Sequence, residues 1–275
     1  MNLLPKRLLK AAVILSVFVL LLGMVRGEYR SKQGAVAQQL EKLNPAINKD
    51  ISYIDFLTYR VLKNGSARVA TLGSSVTKGV GASAPSNTWR ALLQSEIRGE
   101  SRPLQHVTIS NHGHSGYTSE KLLRPEVIER VVDSRPDLLI LETSVINNYR
   151  QNVTLENTEA SLEELYSTFK ERIPGIEILF ISPNPILKTN LTESGLNAID
   201  LTFNDYNQFT KELAAKNGWN YFDTNMYISE EITQRELALE DTLNDKIHPN
   251  DLGYDIWFNQ LYHKGLTQPN FGQNK

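Results

Sequence analysis

The 275-residue chain contains no cysteine. This absence excludes disulfide bonds, a thiolate nucleophile, cysteine-ligated zinc and a lipidated N-terminal cysteine. A chain without thiols suits a location outside the cytoplasm but does not require one.

An excess of charge of one sign is also missing. Lysine and arginine total 29, aspartate and glutamate total 31, and the formal net charge is −2. This balance gives no electrostatic basis for a nucleic acid partner or for binding to an anionic membrane surface. Internal repeats and low-complexity tracts are absent too, so the composition indicates an ordinary globular domain with a sizeable core.

Long apolar runs are absent except for one near the N-terminus, residues 11–25 (AAVILSVFVLLLGMV), which lies between Lys10 and Arg26. These fifteen residues fall short of the roughly 20 that a spanning helix needs, although Leu8 and Leu9 extend the run if Lys10 snorkels. The basic flank on the N-terminal side consists of Lys6, Arg7 and Lys10.

The alternative for this segment is a cleaved signal peptide. Its best small-x-small site, Ala35-Val36-Ala37, lies well beyond the apolar run, which is unusual for signal peptidase cleavage. We therefore predict a single-pass membrane anchor or signal segment at residues 1–30, with the rest of the chain outside the cytoplasm. Secretion after cleavage is the alternative.

Apolar strand patterns alternate with amphipathic helix patterns from residue 67 onward. This alternation predicts a three-layer α/β/α sandwich with a parallel, doubly wound (flavodoxin-like) sheet of about five strands. We assign a stalk and packing helix to residues 31–66, one α/β domain to 67–266 and a polar tail to 267–275. The predicted strands are 69–72, 106–110, 138–141, 176–181 and 219–222. The predicted helices are one beginning near Thr88 and those at 119–132, 161–173, 201–217 and 252–263.

Two segments carry residues suited to nucleophilic catalysis. Ser75 follows the first predicted strand in a glycine-flanked turn, where open α/β sheets place their ligand crevices. Asp245 precedes His248 by three residues, so its carboxylate can reach Nδ1 and leave Nε2 free to take a proton from a serine. The residues predict a Ser75–His248–Asp245 triad, and hence an acyl-transferring serine hydrolase.

Two further segments offer donors for an oxyanion. Gly116, after the second strand, allows backbone to approach a ligand closely, and the Asn147 side chain, after the third strand, can donate from its amide. Each residue also has an unremarkable explanation, because glycine and asparagine are common in turns. The four segments together make catalysis the better explanation.

With these segments in order, residues 68–264 resemble the SGNH (GDSL-type) hydrolase superfamily, named for its Ser, Gly, Asn and His blocks. The resemblance implies the α/β/α fold, the triad, and an oxyanion hole formed by the Ser75 N–H, the Gly116 N–H and the Asn147 side chain. It also implies no metal or organic cofactor. Members are esterases, lipases, thioesterases and carbohydrate O-deacetylases, with some acyltransferases.

Two positions depart from the family pattern. Ser74 stands where the first block usually has aspartate, and Asn148 stands where the third block usually has aspartate. The second departure leaves the register of that block open, so Asn148 is the fallback oxyanion donor. A non-catalytic binding module and an O-acyltransferase that uses a sugar hydroxyl as acceptor therefore stay as alternatives to a hydrolase.

The expected substrate is an ester-bearing small molecule or an acylated glycan, and residues 183–200 form the expected substrate loop because they are long and follow the fourth strand. His112 and His114 could suggest a metal site, but no carboxylates cluster near them in the sequence. We expect no metal there.

Overall fold

The computed structural model describes residues 6–187, 195–269 and 271, and the chain divides into two compact units, Met1–Asn44 and Pro45–Lys275. The first unit contains one long helix, α1 (Lys6–Lys42). Within the described residues, no helix combines the length and the apolar character that crossing a membrane requires. The predicted membrane anchor is therefore not supported, in keeping with an apolar run of fifteen residues between two charged ones. Cleavage near Ala37, followed by secretion, stays the untested alternative.

The second unit holds five strands and ten α-helices among its described residues. The strands are β1 (Ala67–Gly73), β2 (Val107–Gly113), β3 (Leu138–Glu142), β4 (Glu177–Ile181) and β5 (Asn220–Phe222). The helices are α2 (Tyr53–Asn64), α3 (Ser75–Lys78), α4 (Trp89–Glu100), α5 (Ser119–Leu122), α6 (Pro125–Ser134), α7 (Val145–Arg150), α8 (Leu155–Arg172), α9 (Phe203–Asn217), α10 (Thr224–Gln234) and α11 (Asp251–Gln260).

All neighbouring strands are parallel, and their order across the sheet is β2-β1-β3-β4-β5. The central strand β3 is buried along its whole length, as expected for a sheet covered by helices on both faces. One apolar core forms on each face of the sheet, around Trp257 and Leu57 on one side and around Phe169 and Leu165 on the other. The predicted three-layer, doubly wound fold is confirmed, and this strand order is the flavodoxin-like one.

Several predicted elements have different limits in the structure. The single helix predicted at 119–132 is two helices, α5 and α6, because Pro125 occupies the first turn of α6 and cannot continue the preceding helix. Strand β2 extends to Gly113, so part of the second predicted site segment is strand. Helix α10 was not predicted.

Helix α2, which precedes β1, packs within the second unit. Helix α2 begins with a capping box between Ser52 and Asp55 and buries six of its side chains. Phe271, within the segment predicted as a polar tail, stacks on Phe56 at 4.7 Å, and its N–H donates to the Ile51 carbonyl over 3.0 Å. Helix α2 and Phe271, which lie near opposite ends of this unit, therefore pack in the same apolar core.

Candidate active site

The carboxyl end of the sheet brings Ser75 and His248 together from positions 173 residues apart. Ser75 begins α3 directly after β1, and its side chain is nearly buried. Its Oγ lies 3.0 Å from His248 Nε2. This is hydrogen-bond distance for a hydroxyl that gives its proton to an imidazole.

Asp245 holds His248 through both carboxylate oxygens. Oδ2 lies 2.8 Å from His248 Nδ1, while Oδ1 accepts the N–H of Ile247 at 2.7 Å and the N–H of His248 at 2.8 Å. An ionised carboxylate accepts only, so Nδ1 carries the proton and Nε2 is left as the acceptor toward Ser75. The loop conformation and the tautomer of the imidazole therefore depend on one side chain.

Opposing effects act on the Asp245 carboxyl group. Partial burial raises its pKa, but the hydrogen bonds from the His248 imidazole and from the two N–H groups outweigh burial and hold the pKa below its ordinary value. The carboxylate thus stays ionised in the folded protein at a pH where a free aspartate begins to protonate. Its side chain is 51% exposed, so water can also reach it.

The segment after β4 supports the loop that carries His248. Asn184, which is 2% exposed, donates from Nδ2 to the Ile247 carbonyl over 2.9 Å. The Leu187 N–H donates to the Lys246 carbonyl over 3.0 Å. This segment belongs to the predicted substrate loop at 183–200, of which residues 188–194 lie outside the described residues. The supporting role of Asn184 was missed at the sequence level, although its position after a strand end was the available signal.

Gly116 lies in the loop between β2 and α5 with a φ of +75°, in the left-handed region that favours glycine. Its carbonyl accepts a hydrogen bond from Gln151 Nε2 over 2.9 Å. The same loop is fixed to β1, the strand that leads to Ser75, because the His114 N–H donates to the Gly73 carbonyl over 2.8 Å. The second predicted segment is therefore attached directly to the first.

The two asparagines on α7 differ in what their amides do. Asn147 donates from Nδ2 to the Tyr117 carbonyl over 2.8 Å, next to Gly116, and the second hydrogen of that amide is uncommitted among the described contacts. Asn148 donates from Nδ2 to Ser119 Oγ and Thr158 Oγ1 at 2.8 and 2.9 Å, and its Oδ1 accepts the Ser119 N–H. Asn148 thus has no N–H left for a ligand, whereas Asn147 has one.

His112 and His114 have neighbours other than a metal. His112 Nε2 lies 3.0 Å from Ser110 Oγ, and the His114 ring stacks on Tyr117 at 4.8 Å. Burial lowers the pKa of both imidazoles, and the charge of Arg130 lowers it further. In the described part of the chain, no group of three or more potential ligands could hold a metal ion.

Comparison with known proteins places this geometry in context. The sequence model of the GDSL-like lipase/acylhydrolase family matches residues 71–256, more than half of the chain. No curated protein sequence matches the chain significantly.

Solved structures share the fold at low sequence identity. A lipolytic protein of the G-D-S-L family from Veillonella parvula is 15% identical, with a TM-score of 0.55 over 72% of this chain and 97% of that one. An acetyl xylan esterase is 17% identical, with a TM-score of 0.57 over 72% and 98% of the two chains. A variant of an acetyl-xylooligosaccharide esterase from Geobacillus stearmophilus is 19% identical, with a TM-score of 0.55 over 72% and 93%.

Proposed function

The chain belongs to the GDSL-like lipase/acylhydrolase family, whose members hydrolyse esters, and from this premise we propose that it acts through an acyl-enzyme on Ser75. The observation that carries the proposal is the continuous contact from Ser75 Oγ to His248 Nε2 at 3.0 Å and from His248 Nδ1 to Asp245 Oδ2 at 2.8 Å. A nucleophile, a base and a group that orients the base are the parts that acyl transfer needs.

In the proposed reaction, Ser75 Oγ attacks the ester carbonyl carbon while its proton moves to His248 Nε2. The carbonyl oxygen becomes an oxyanion, stabilised by the N–H groups of Ser75 and Gly116 and by the free Nδ2 hydrogen of Asn147. Collapse breaks the bond to the alcohol, which leaves with the proton from His248. Water, deprotonated by His248, then attacks the acyl carbon; the bond to Ser75 Oγ breaks, the acid leaves, and the proton on His248 returns to Ser75.

Replacing Asp245 tests the orienting role. We expect Asp245→Asn to lower kcat/KM by about 10- to 100-fold, less than the loss seen for a fully buried aspartate in such a triad, because water also reaches this side chain. The loss arises because an amide, unlike an ionised carboxylate, can hold the imidazole in the wrong tautomer. The measurement is kcat/KM on an activated acetyl ester, with thermal unfolding as the check on folding.

Asp133→Asn, the same change at an exposed position on α6, is the control for Asp245→Asn. A kcat/KM for Asp245→Asn equal to that of Asp133→Asn would contradict the proposed pairing.

We propose an O-acyl group on a carbohydrate as the substrate, with acetyl as the acyl group. Two structural neighbours with the same fold act, by their descriptions, on acetylated xylan and acetylated xylooligosaccharides. Fold likeness at this identity does not transfer a substrate by itself. The proposal therefore depends on measured specificity.

A chain-length series of esters tests the substrate. Residues 31–275 are assayed on aryl esters from acetyl to long acyl chains and on acetylated xylan, with Ser75→Ala as the blank. We expect acetyl esters and the acetylated polysaccharide to be hydrolysed fastest. Preference for long acyl chains, with indifference to acetyl groups, contradicts the proposed substrate while leaving the esterase assignment intact.

A further inference from the structure

Glu142, the last residue of β3, joins two parts of the candidate site. Its side chain is fully buried. Oε2 accepts the Ser74 N–H at 2.7 Å and the Thr77 hydroxyl at 3.3 Å, and Oε1 accepts the Ser144 N–H at 2.7 Å. Ser74 immediately precedes the proposed nucleophile, and Ser144 immediately precedes the helix that carries Asn147.

The hydrogen bond from the Ser144 N–H to Glu142 holds a residue whose backbone is strained. Ser144 has a φ of +58°, in the left-handed region that a residue with a side chain seldom adopts. Such a conformation persists only where the surroundings over-determine it. The bond from the Ser144 N–H to Glu142 is one such constraint, and it sets the direction in which α7 leaves the sheet.

The contact between Glu142 and the turn that carries Ser74 leaves no spare room. A Cβ atom built on Gly73 would lie 2.6 Å from Glu142 Oε2 and 2.5 Å from Thr77 Oγ1. Real Cβ atoms do not approach other atoms so closely, so the carboxylate fits against the turn of the nucleophile only because residue 73 is glycine. The position of Glu142 is therefore coupled to the position of the Ser75 backbone.

Stability alone is a poor reason for a carboxylate here. Burial raises the pKa of Glu142 above its ordinary value, against the hydrogen bonds that lower it, and among the described residues no cation contributes to the balance. A buried, unpaired charge costs free energy that an apolar side chain would not. The two backbone N–H groups donate to different oxygens of Glu142, so both of its oxygens act as acceptors.

From these contacts we propose that Glu142 is a positioning residue for the ester hydrolysis. By holding Ser74 and Ser144 on one carboxylate, it sets the separation between Ser75 Oγ and the Asn147 amide. The reacting carbonyl must fit this gap in the transition state, where a small misplacement lowers the rate strongly. The inference rests on the proposed function, because it takes Ser75 as the nucleophile and Asn147 as an oxyanion donor.

Glu142→Gln is the direct test. Glutamine keeps the shape of the side chain but can accept from only one of the two backbone N–H groups, so the separation between Ser75 Oγ and the Asn147 amide is held less firmly. We expect kcat to fall about 10- to 100-fold with KM changed by less than about threefold, since an interaction felt mainly in the transition state lowers kcat. Glu129→Gln is the matched control at an exposed position, where the carboxylate pairs with Arg172, and its kinetics should equal those of the wild type.

Ser75→Ala in the same assay separates this inference from the proposed function. If Ser75→Ala stays active, the proposed function fails. If Ser75→Ala is inactive but Glu142→Gln matches Glu129→Gln, or loses only in KM, the positioning role is overturned.

Glu142→Asp decides the question if the glutamine variant does not fold. It keeps the charge but is one methylene too short to reach both N–H groups, so the same fall in kcat is expected, and an unchanged kcat overturns the inference.

The folded wild type offers a third measurement, the amide proton shifts of Ser74 and Ser144 followed by NMR on acidification. Both should titrate together with Glu142, because Tyr254 of α11, whose pKa is raised by burial and by the charge of Glu142, stays neutral on acidification. If the amide proton shifts of Ser74 and Ser144 titrate independently of each other, the inference is overturned.

Discussion

Ser75→Ala should lower kcat/KM on an activated acetyl ester by about 10⁴-fold or more, because loss of the nucleophile in a serine triad removes nearly all of its contribution. The hydroxyl that lies 3.0 Å from His248 Nε2 disappears, while the fold, which does not depend on this hydroxyl, should keep its melting temperature within a few degrees. The measurement is steady-state hydrolysis on purified protein, with thermal unfolding as the check on folding.

Ser74→Ala is the matched variant, since both serines occupy the same turn. It should remain at least about a hundredfold more active than Ser75→Ala. Equal loss in the two variants, or turnover that survives in Ser75→Ala, would remove Ser75 from the mechanism.

Asn147→Ala should cost about 10²- to 10³-fold in kcat, the usual effect of removing one oxyanion donor. The loss follows from the free Nδ2 hydrogen, while the hydrogen bond to the Tyr117 carbonyl adds a modest loss of stability, about 1 kcal/mol. The measurement is kcat on the fraction of protein that is folded.

Asn148→Ala is the contrasting variant. It removes three hydrogen bonds to Ser119 and Thr158 inside the protein, so we expect a lower free energy of unfolding, by about 2–3 kcal/mol, with a smaller effect on kcat. If Asn148→Ala abolishes turnover in folded protein while Asn147→Ala does not, the oxyanion donor is misassigned.

The positions of the strands and the pairing of Asp245 with His248 could be anticipated from the sequence because they depend on local patterns. Unbroken apolar runs such as 138–141 mark buried parallel strands, and three-residue spacing places Asp245 within reach of His248. The break at Pro125, which the predicted helix at 119–132 missed, also had a signal in the sequence, since proline at the start of a helix separates it from the one before. Helix α10 carried a weaker signal, the buried positions Thr224, Ile228 and Ile232 at four-residue spacing.

The sequence favoured Asn147 as the oxyanion donor and kept Asn148 as a fallback, but the choice between them could not be settled from the sequence alone. It depends on the left-handed turn at Ser144, which a non-glycine residue adopts only through contacts made after folding. Glu142 was equally ambiguous, because a glutamate that ends an apolar strand can point to solvent or, as here, into the protein. Both outcomes are tertiary effects that local propensity does not encode.

Labelling with a fluorophosphonate tests the central claim most directly, because the reagent reacts with a serine only when a neighbouring base activates it. The account predicts a single modified peptide that contains Ser75, with labelling lost in both Ser75→Ala and His248→Ala. Folded protein that stays unlabelled, or label on a serine other than Ser75, would contradict it and would favour a binding module that keeps the fold without turnover.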